Sequence, residues 1–194
     1  LKAMIDNTIF AISTDETRYH LNGVYMDAVK DNIFRMVATD GHRLAYCEKE
    51  LFESAPAFLN KGIIIPRKGV QELKKLLDSG VENLMLSIEG NHLVFKSEQT
   101  YLFIRLIEGR FPDYKQVIPK NNPNVLELDT KDLLLSLKRV SLLANEKSKG
   151  IKLAVHQGKL EISTNNPDIG EAKESIETTY RGDSIEIGFN AKYL

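Results

Sequence analysis

The polar residues best placed for chemistry are Thr39, Asp40, His42 and Arg43, within the stretch Thr39-Asp40-Gly41-His42-Arg43-Leu44-Ala45. Strand-like apolar runs flank it, Ile33 to Ala38 before and Leu44 to Cys47 after. Asp-Gly between two such runs predicts a hairpin turn, because the turn needs a positive φ that Gly adopts at little cost. Asp40 and His42 could serve as acid and base or as metal ligands. The same mixture of polar and exposed apolar groups also suits the rim of a binding pocket. Catalysis needs a third group at fixed geometry. The four histidines, His20, His42, His92 and His156, show no ligand spacing. Ser13, Ser141 and Ser163 lack nucleophile-elbow glycines, and no glycine-rich phosphate loop opens a well-marked helix. Asp40 reads most simply as a turn residue and Cys47 as a packed small hydrophobe. A metal-dependent hydrolase using Asp40 and His42 is the alternative.

The whole chain bounds these readings. Its 194 residues suffice for one large domain or one and a half ordinary ones, with the 42% hydrophobic and 27% charged content of a globular protein. No apolar run approaches the ~18 residues of a membrane span. Leu1 opens directly into a helical pattern, so the chain reads as a fragment without a secretory signal. One cysteine permits no internal disulfide and no cysteine-based zinc site, and fits the cytoplasm. A net charge of −1 argues against a wholly basic nucleic-acid binder. The distribution is uneven, however. Lys131, Lys138, Arg139, Lys147, Lys149 and Lys152 stand against only Asp132 and Glu146, whereas acidic residues dominate Val155 to Ile187. The basic segment reads mostly as helix and the acidic one as strands, as expected of one attracting and one repelling face.

The elements that would position the Asp-Gly turn follow from periodicity. Leu1, Met4, Ile5, Ile9 and Ile12 predict a helix over 1–13, and Arg18 to Met26 alternates like a strand. Glu50 to Asn60 reads as an irregular connection. Gly62 to Ile65 reads as a buried strand that Pro66 stops, before a helix from Arg67 whose apolar face is Val70, Leu73, Leu76 and Leu77. Strands are predicted at 84–88, 92–96 and 101–106, then a loop from Glu108 to Tyr114. Lys120 to Asn124 reads as a linker, dividing domains at 1–119 and 125–194. Beyond it, Thr130 is the expected N-cap of a helix carrying Leu133, Leu134, Leu137, Val140 and Ala144, followed by strands at 151–155, 159–164, 172–178 and 185–189.

This order repeats the opening one. Tyr19-His20-Leu21 corresponds to Ile151-Lys152-Leu153, Ala38-Thr39-Asp40 to Ser163-Thr164-Asn165, and the run from Ile64 to Lys68 to that from Ile187 to Ala191. Duplication at a long period points to an assembly of similar units, as in rings or arrays. Arg18, Tyr19 and His20 after a polar loop could touch phosphates and bases. Arg67 and Lys68 at a helix start oppose its dipole, which an anionic partner would relieve. A general nucleic-acid-binding module without a partner pocket is therefore a third reading.

Four motifs in order make a specific resemblance: Arg18-Tyr19-x-Leu21-Asn22-Gly23, Val37 to Ala45, Ile65-Pro66-Arg67-Lys68-Gly69, and Gly109-Arg110-Phe111-Pro112-Asp113-Tyr114. With Ala144-Asn145-Glu146-Lys147 and Ile187-Gly188-Phe189-Asn190, they resemble the bacterial DNA polymerase III sliding clamp, the beta subunit, across essentially the whole chain. The resemblance implies the α+β DNA-clamp fold, with helices lining a ring and sheets outside. This chain would be most of a middle domain, lacking its first strand, plus the first part of a third. It implies a non-enzymatic processivity factor, needing neither cofactor nor metal, that encircles double-stranded DNA as a homodimer. Its partners would be the polymerase III catalytic subunit, the clamp loader, and other polymerases and repair proteins carrying a clamp-binding peptide. Carried over residue by residue, the peptide pocket comprises Leu21, Thr39, Gly41, His42, Arg43, Leu44, Pro112, Gln116 and Val117. The DNA-binding set comprises Asp15, Tyr19 and His20, to which the residue reading adds Arg18, Arg67 and Lys68. Gln116 departs from a basic residue common in relatives, and Asp15 from a Gln.

Overall fold

The first helix is shorter than its spacing predicts. In the computed structural model, which describes residues 1–30, 32–50, 54–98 and 100–194, α1 spans only Lys2–Asp6. The buried Thr8 hydroxyl donates to the Met4 carbonyl at 2.8 Å, a local bond that competes with the helix ladder, and the chain continues as a 3₁₀ turn over Ile9–Ala11. The strand predicted from Arg18 is also displaced. Glu16–Leu21 forms 3₁₀ structure because the Asp15 side chain caps it, accepting from the Thr17 amide at 3.0 Å, and β1 begins only at Gly23.

The chain divides into two units, Leu1–Asp113 and Tyr114–Leu194. In the first, β1 (Gly23–Lys30), β2 (Ile33–Thr39), β3 (Leu44–Glu50) and β4 (Ile63–Pro66) form an antiparallel sheet in the order β3-β2-β1-β4. The expected connection from Glu50 includes Leu51, Phe52 and Glu53, which lie outside the described residues, and a 3₁₀ turn at Ala57–Lys61. Pro66 ends β4 and serves as N-cap of α2 (Arg67–Asp78). A second antiparallel sheet follows, β5 (Met85–Glu89), β6 (His92–Lys96) and β7 (Tyr101–Arg105). Val24, Met26, Met36, Ile65, Val70, Leu73, Leu93 and Phe95 meet in one core with Met4 and Ile5, so both sheets and the helices share a single apolar interior.

In the second unit α3 (Thr130–Ser141) is followed by β8 (Gly150–His156), β9 (Lys159–Asn166), β10 (Gly170–Glu177) and β11 (Ile185–Asn190). Asp129, not Thr130, caps α3, its carboxylate accepting from the Lys131 and Asp132 amides at 2.8 and 3.1 Å. Leu137 and Val140 enter the core, Leu133 is half-buried, and Leu134 is exposed; Ala144 is buried beyond the end of the helix. The expected linker is partly built into this unit. Tyr180 donates to Asn124 Oδ1 at 3.2 Å, and Leu126 and Leu128 pack on the second core. Composition at Lys120 to Asn124 marks missing regular structure, whereas contacts change unit at Asp113.

The duplication is visible in topology. Sheet order β10-β9-β8-β11 repeats β3-β2-β1-β4 strand for strand. The pairing shifts the residue correspondences, though. Gly23 lies opposite Pro66 and Gly150 opposite Asn190, so Val24-Tyr25-Met26, not Tyr19-His20-Leu21, matches Ile151-Lys152-Leu153. By the same pairing Val37-Ala38-Thr39 matches Ser163-Thr164-Asn165, and Ile65-Pro66 matches Phe189-Asn190.

Candidate functional site

The hairpin forms, with a different turn. Thr39 pairs with Leu44, leaving Asp40, Gly41, His42 and Arg43 as the loop rather than Asp-Gly alone. Only Gly41 among them has positive φ, +88°. Asp40 closes the loop: its Oδ1 accepts from the His42 and Arg43 amides at 2.9 and 3.0 Å, and its Oδ2 from Arg43 Nε at 3.1 Å. Thr39 Oγ1 donates to the Arg43 carbonyl at 2.7 Å and accepts from the Gly41 amide at 3.1 Å. Arg43 is a strut as well. Its Nη2 donates to the Phe10 carbonyl at 2.6 Å and its guanidinium lies 5.4 Å from the Phe10 ring centroid. The Asp40 carboxylate and the Arg43 guanidinium are thus engaged in holding the loop, which presents Leu44 half-buried and His42 exposed.

Burial alone would raise the Asp40 pKa, but the two amides and the Arg43 guanidinium together hold it below the usual carboxylate range. A depressed folded-state pKa contributes stability that is present above the unfolded value and is lost as pH falls through the folded one. We therefore expect Asp40→Asn to lower the melting temperature at pH 7, and the gap from wild type to close as pH falls below about 3.9, the ordinary Asp value. Melts across that range check this; a gap independent of pH contradicts the assignment.

A second segment buttresses the loop. Arg18 Nε meets Asp15 Oδ2 at 2.8 Å, and a side chain at Gly41 would collide with Arg18 Nη1. Hydrogen bonds from Thr17 and Arg18 hold the Asp15 carboxyl below its ordinary pKa, so it stays a charged cap beside its own cation. Tyr19 is exposed, edge-on to His20 at 5.6 Å, and its ring lies 3.5 Å from where a Gly109 side chain would begin. Leu21 is buried, its carbonyl accepting from Ser13 N–H at 3.0 Å. Arg67 donates to the Ile12 carbonyl at 2.5 Å, and its amide to Asn22 O at 2.9 Å. For Arg67, this carbonyl from a segment distant in sequence supplies the relief that the sequence reading sought from an anionic partner. Lys68 is exposed.

The structure therefore brings the hairpin residues together with Arg18, and Tyr19 with the Gly109 loop. Pro112 is exposed beside Phe111, whose ring stacks on Tyr25 at 5.1 Å. Gln116 and Val117 belong to the second unit, where Val117, 68% exposed, donates its N–H to the Tyr114 carbonyl at 3.2 Å. Phe10 was missed by sequence reasoning: it lies off the stripe of Leu1, Met4, Ile5, Ile9 and Ile12, and no local signal ties it to Arg43. Among the described residues no group of three or more His, Cys, Asp or Glu is placed to hold a metal, so Asp40 and His42 acquire no third ligand there. No helix among them is long and apolar enough to cross a membrane.

In the second unit the opposite charges meet one another. Arg139 of α3 holds Glu174 of β10 through two bonds, 2.7 and 2.9 Å; Lys173 meets Glu161 at 2.6 Å and Lys152 meets Glu186 at 3.4 Å. Lys131 and Lys138 remain exposed on α3 beside Leu134, Leu135 and Leu142.

Comparison with known proteins agrees over the whole length. Residues 1–113 match the family described as DNA polymerase III beta subunit, central domain, and residues 115–194 its C-terminal domain. The beta sliding clamp of Caulobacter vibrioides is 41% identical over 194 residues, covering 98% of this chain and 52% of its own length. That of Escherichia coli K12 is 39% identical, covering 100% and 52%. A Bartonella birtlesii sliding clamp bound to griselimycin superposes with a TM-score of 0.92 at 38% identity, covering 99% of this chain and 52% of that one. A Pseudomonas aeruginosa sliding clamp gives 0.91 at 35%, with the same coverages. The chain spans about half the length of the curated relatives it matches.

Proposed function

The chain belongs to the DNA polymerase III beta-subunit family, and from that premise we propose that it is part of a ring-shaped sliding clamp. In the full-length protein two copies close around double-stranded DNA and tether the replicative polymerase. The observation that carries this reading is the match of its two units, in order, to two consecutive clamp domains. A ring holds DNA by encirclement and must slide, so it needs weak, water-screened phosphate contacts rather than base readout. Charges already paired within the protein suit that requirement. The role is processivity, not catalysis, and its place is the cytoplasm, on the chromosome.

Partner proteins, among them the polymerase catalytic subunit, the clamp loader, and other polymerases and repair proteins, dock a short peptide on the hairpin-centred surface. Leu21, Leu44 and Pro112 form its apolar part; Thr39 and Arg43 act mainly by holding the loop that presents His42. Gly41, at a positive φ that Gly adopts freely, shapes the loop that a peptide meets. Arg18, Tyr19 and His20 with Lys68 are the DNA-facing set, Asp15 and Arg67 being their supports.

Encirclement is tested by loading the full-length protein onto circular DNA with its clamp loader and then cutting the circle once. The protein should stay on the closed circle and be lost from the cut one. Equal retention on both would refute the ring.

A further inference from the structure

Four charges on the helices of the first unit stand in places that their own helices do not favour or need. Lys2 opens α1 and Asp6 closes it, while Asp78 closes α2; each opposes the dipole of the helix that carries it. The structure gives these charges partners across the helix pair. Lys2 Nζ meets Asp78 Oδ1 at 2.5 Å, and Lys74 pairs with Asp6. The two helices therefore run antiparallel with an ion pair at each end of the contact. Lys75 is held by Glu72, one turn earlier on its own helix, at 2.9 Å. Arg67 is committed to backbone carbonyls. Lys68 is the one exposed cation of these two helices with no carboxylate partner among the described residues.

These pairs are too exposed to be explained by stability. Both partners of each keep a third or more of their side-chain surface in water, where such pairs contribute little. What they change is the field outside. A helical layer with Lys2, Lys74 and Lys75 unpaired would be a strong phosphate-binding face; with Asp6, Asp78 and Glu72 in place it is nearly compensated.

We propose that Asp6 and Asp78 are governors of the duplex contact: by engaging Lys74 and Lys2 they keep phosphate affinity low enough for the clamp to slide. This rests on the clamp reading and on these helices facing the DNA. It assigns to two acidic residues a role in DNA binding opposite to that of a ligand. They weaken a contact that must not become tight.

The test uses the full-length protein as wild type, as Asp6→Asn/Asp78→Asn, and as the charge exchange Lys2→Asp/Asp78→Lys. Affinity for linear duplex is measured against salt, and the diffusion of rings loaded on circular DNA is followed by single-molecule imaging. The double Asn variant should bind more tightly at low salt, its log K against log salt steeper by about 0.9 for each lysine that then meets a phosphate, and its rings should diffuse more slowly. The charge exchange preserves one pair and should keep the wild-type slope. A purely structural role for the pairs predicts instead a lower melting temperature for the double variant with an unchanged slope, and that result would overturn the proposal. Loss of wild-type rings from closed circles would overturn the clamp reading itself and not the compensation of the helices.

Discussion

Arg35→Ala should lower the stability of the first unit by about 3–5 kcal/mol, the cost of leaving a buried charge without its partner. Arg35 lies on β2 between Asp27 of β1 and Glu48 of β3, each its cross-strand neighbour. Its side chain is only 8% exposed and that of Asp27 only 10%. Arg35 Nε donates to Asp27 Oδ1 at 2.8 Å, a second bond joins Nη2 to Oδ2, and Glu48 stands further off at 3.6 Å. The guanidinium also lies 5.9 Å from the Tyr46 ring centroid. With Arg35 gone, the buried Asp27 carboxylate loses both of its side-chain bonds to the guanidinium. Burial, with Asp27 nearby, already pushes the Tyr25 hydroxyl above its ordinary pKa, a sign of how little water screens this face. Replacing both partners, as Asp27→Leu/Arg35→Met, should recover most of the loss, because the pair's desolvation cost then disappears with it. Urea unfolding of the three proteins distinguishes the cases. A single-variant loss below about 1 kcal/mol would mean that the pair is screened like a surface one.

The second large effect concerns binding. Leu44→Ala should weaken partner-peptide binding by about 1.4–2 kcal/mol, ten- to thirty-fold. Leu44 follows the loop directly and pairs with Thr39, so its side chain is carried by strand geometry and not by the turn. The four loop residues hold each other through Asp40 and Thr39, and Arg43 ties them to Phe10, so a peptide meets a surface that is already ordered. Ala at position 44 removes apolar area while leaving those bonds intact, which makes the loss a measure of contact rather than of unfolding. Its melting temperature should stay close to wild type.

Much of the fold could be read from periodicity, and the failures have local causes. His92 to Lys96 was predicted to the residue because apolar Leu93, Val94 and Phe95 follow the turn residues Glu89-Gly90-Asn91 and precede the polar run Ser97-Glu98-Gln99-Thr100. Residues 1–13 and 16–21 were misread because side-chain bonds from Thr8 and Asp15 to nearby backbone redirect the chain, and hydrophobic spacing does not register such bonds. The duplication was legible in element order, but its residue correspondences slipped, since register is set by pairing and not by similar letters. The Asp-Gly signal located the hairpin, whereas its four-residue loop depends on Thr39 and Asp40 side chains. The roles of Arg43 and Arg67 were invisible for a different reason. Each binds a carbonyl supplied by the segment from Phe10 to Ser13, far away in sequence, and nothing in the type of an arginine says whether it points at a partner or at its own backbone.

The measurement that goes most directly to the docking surface is fluorescence polarisation of a labelled peptide carrying a Gln followed by Leu and Phe anchors, titrated with the full-length protein. Saturable binding that Leu44→Ala weakens ten-fold or more, at unchanged melting temperature, is the predicted result. Binding of equal strength by wild type and Leu44→Ala would contradict the account, and would move the docking site away from the hairpin around which the first unit is arranged.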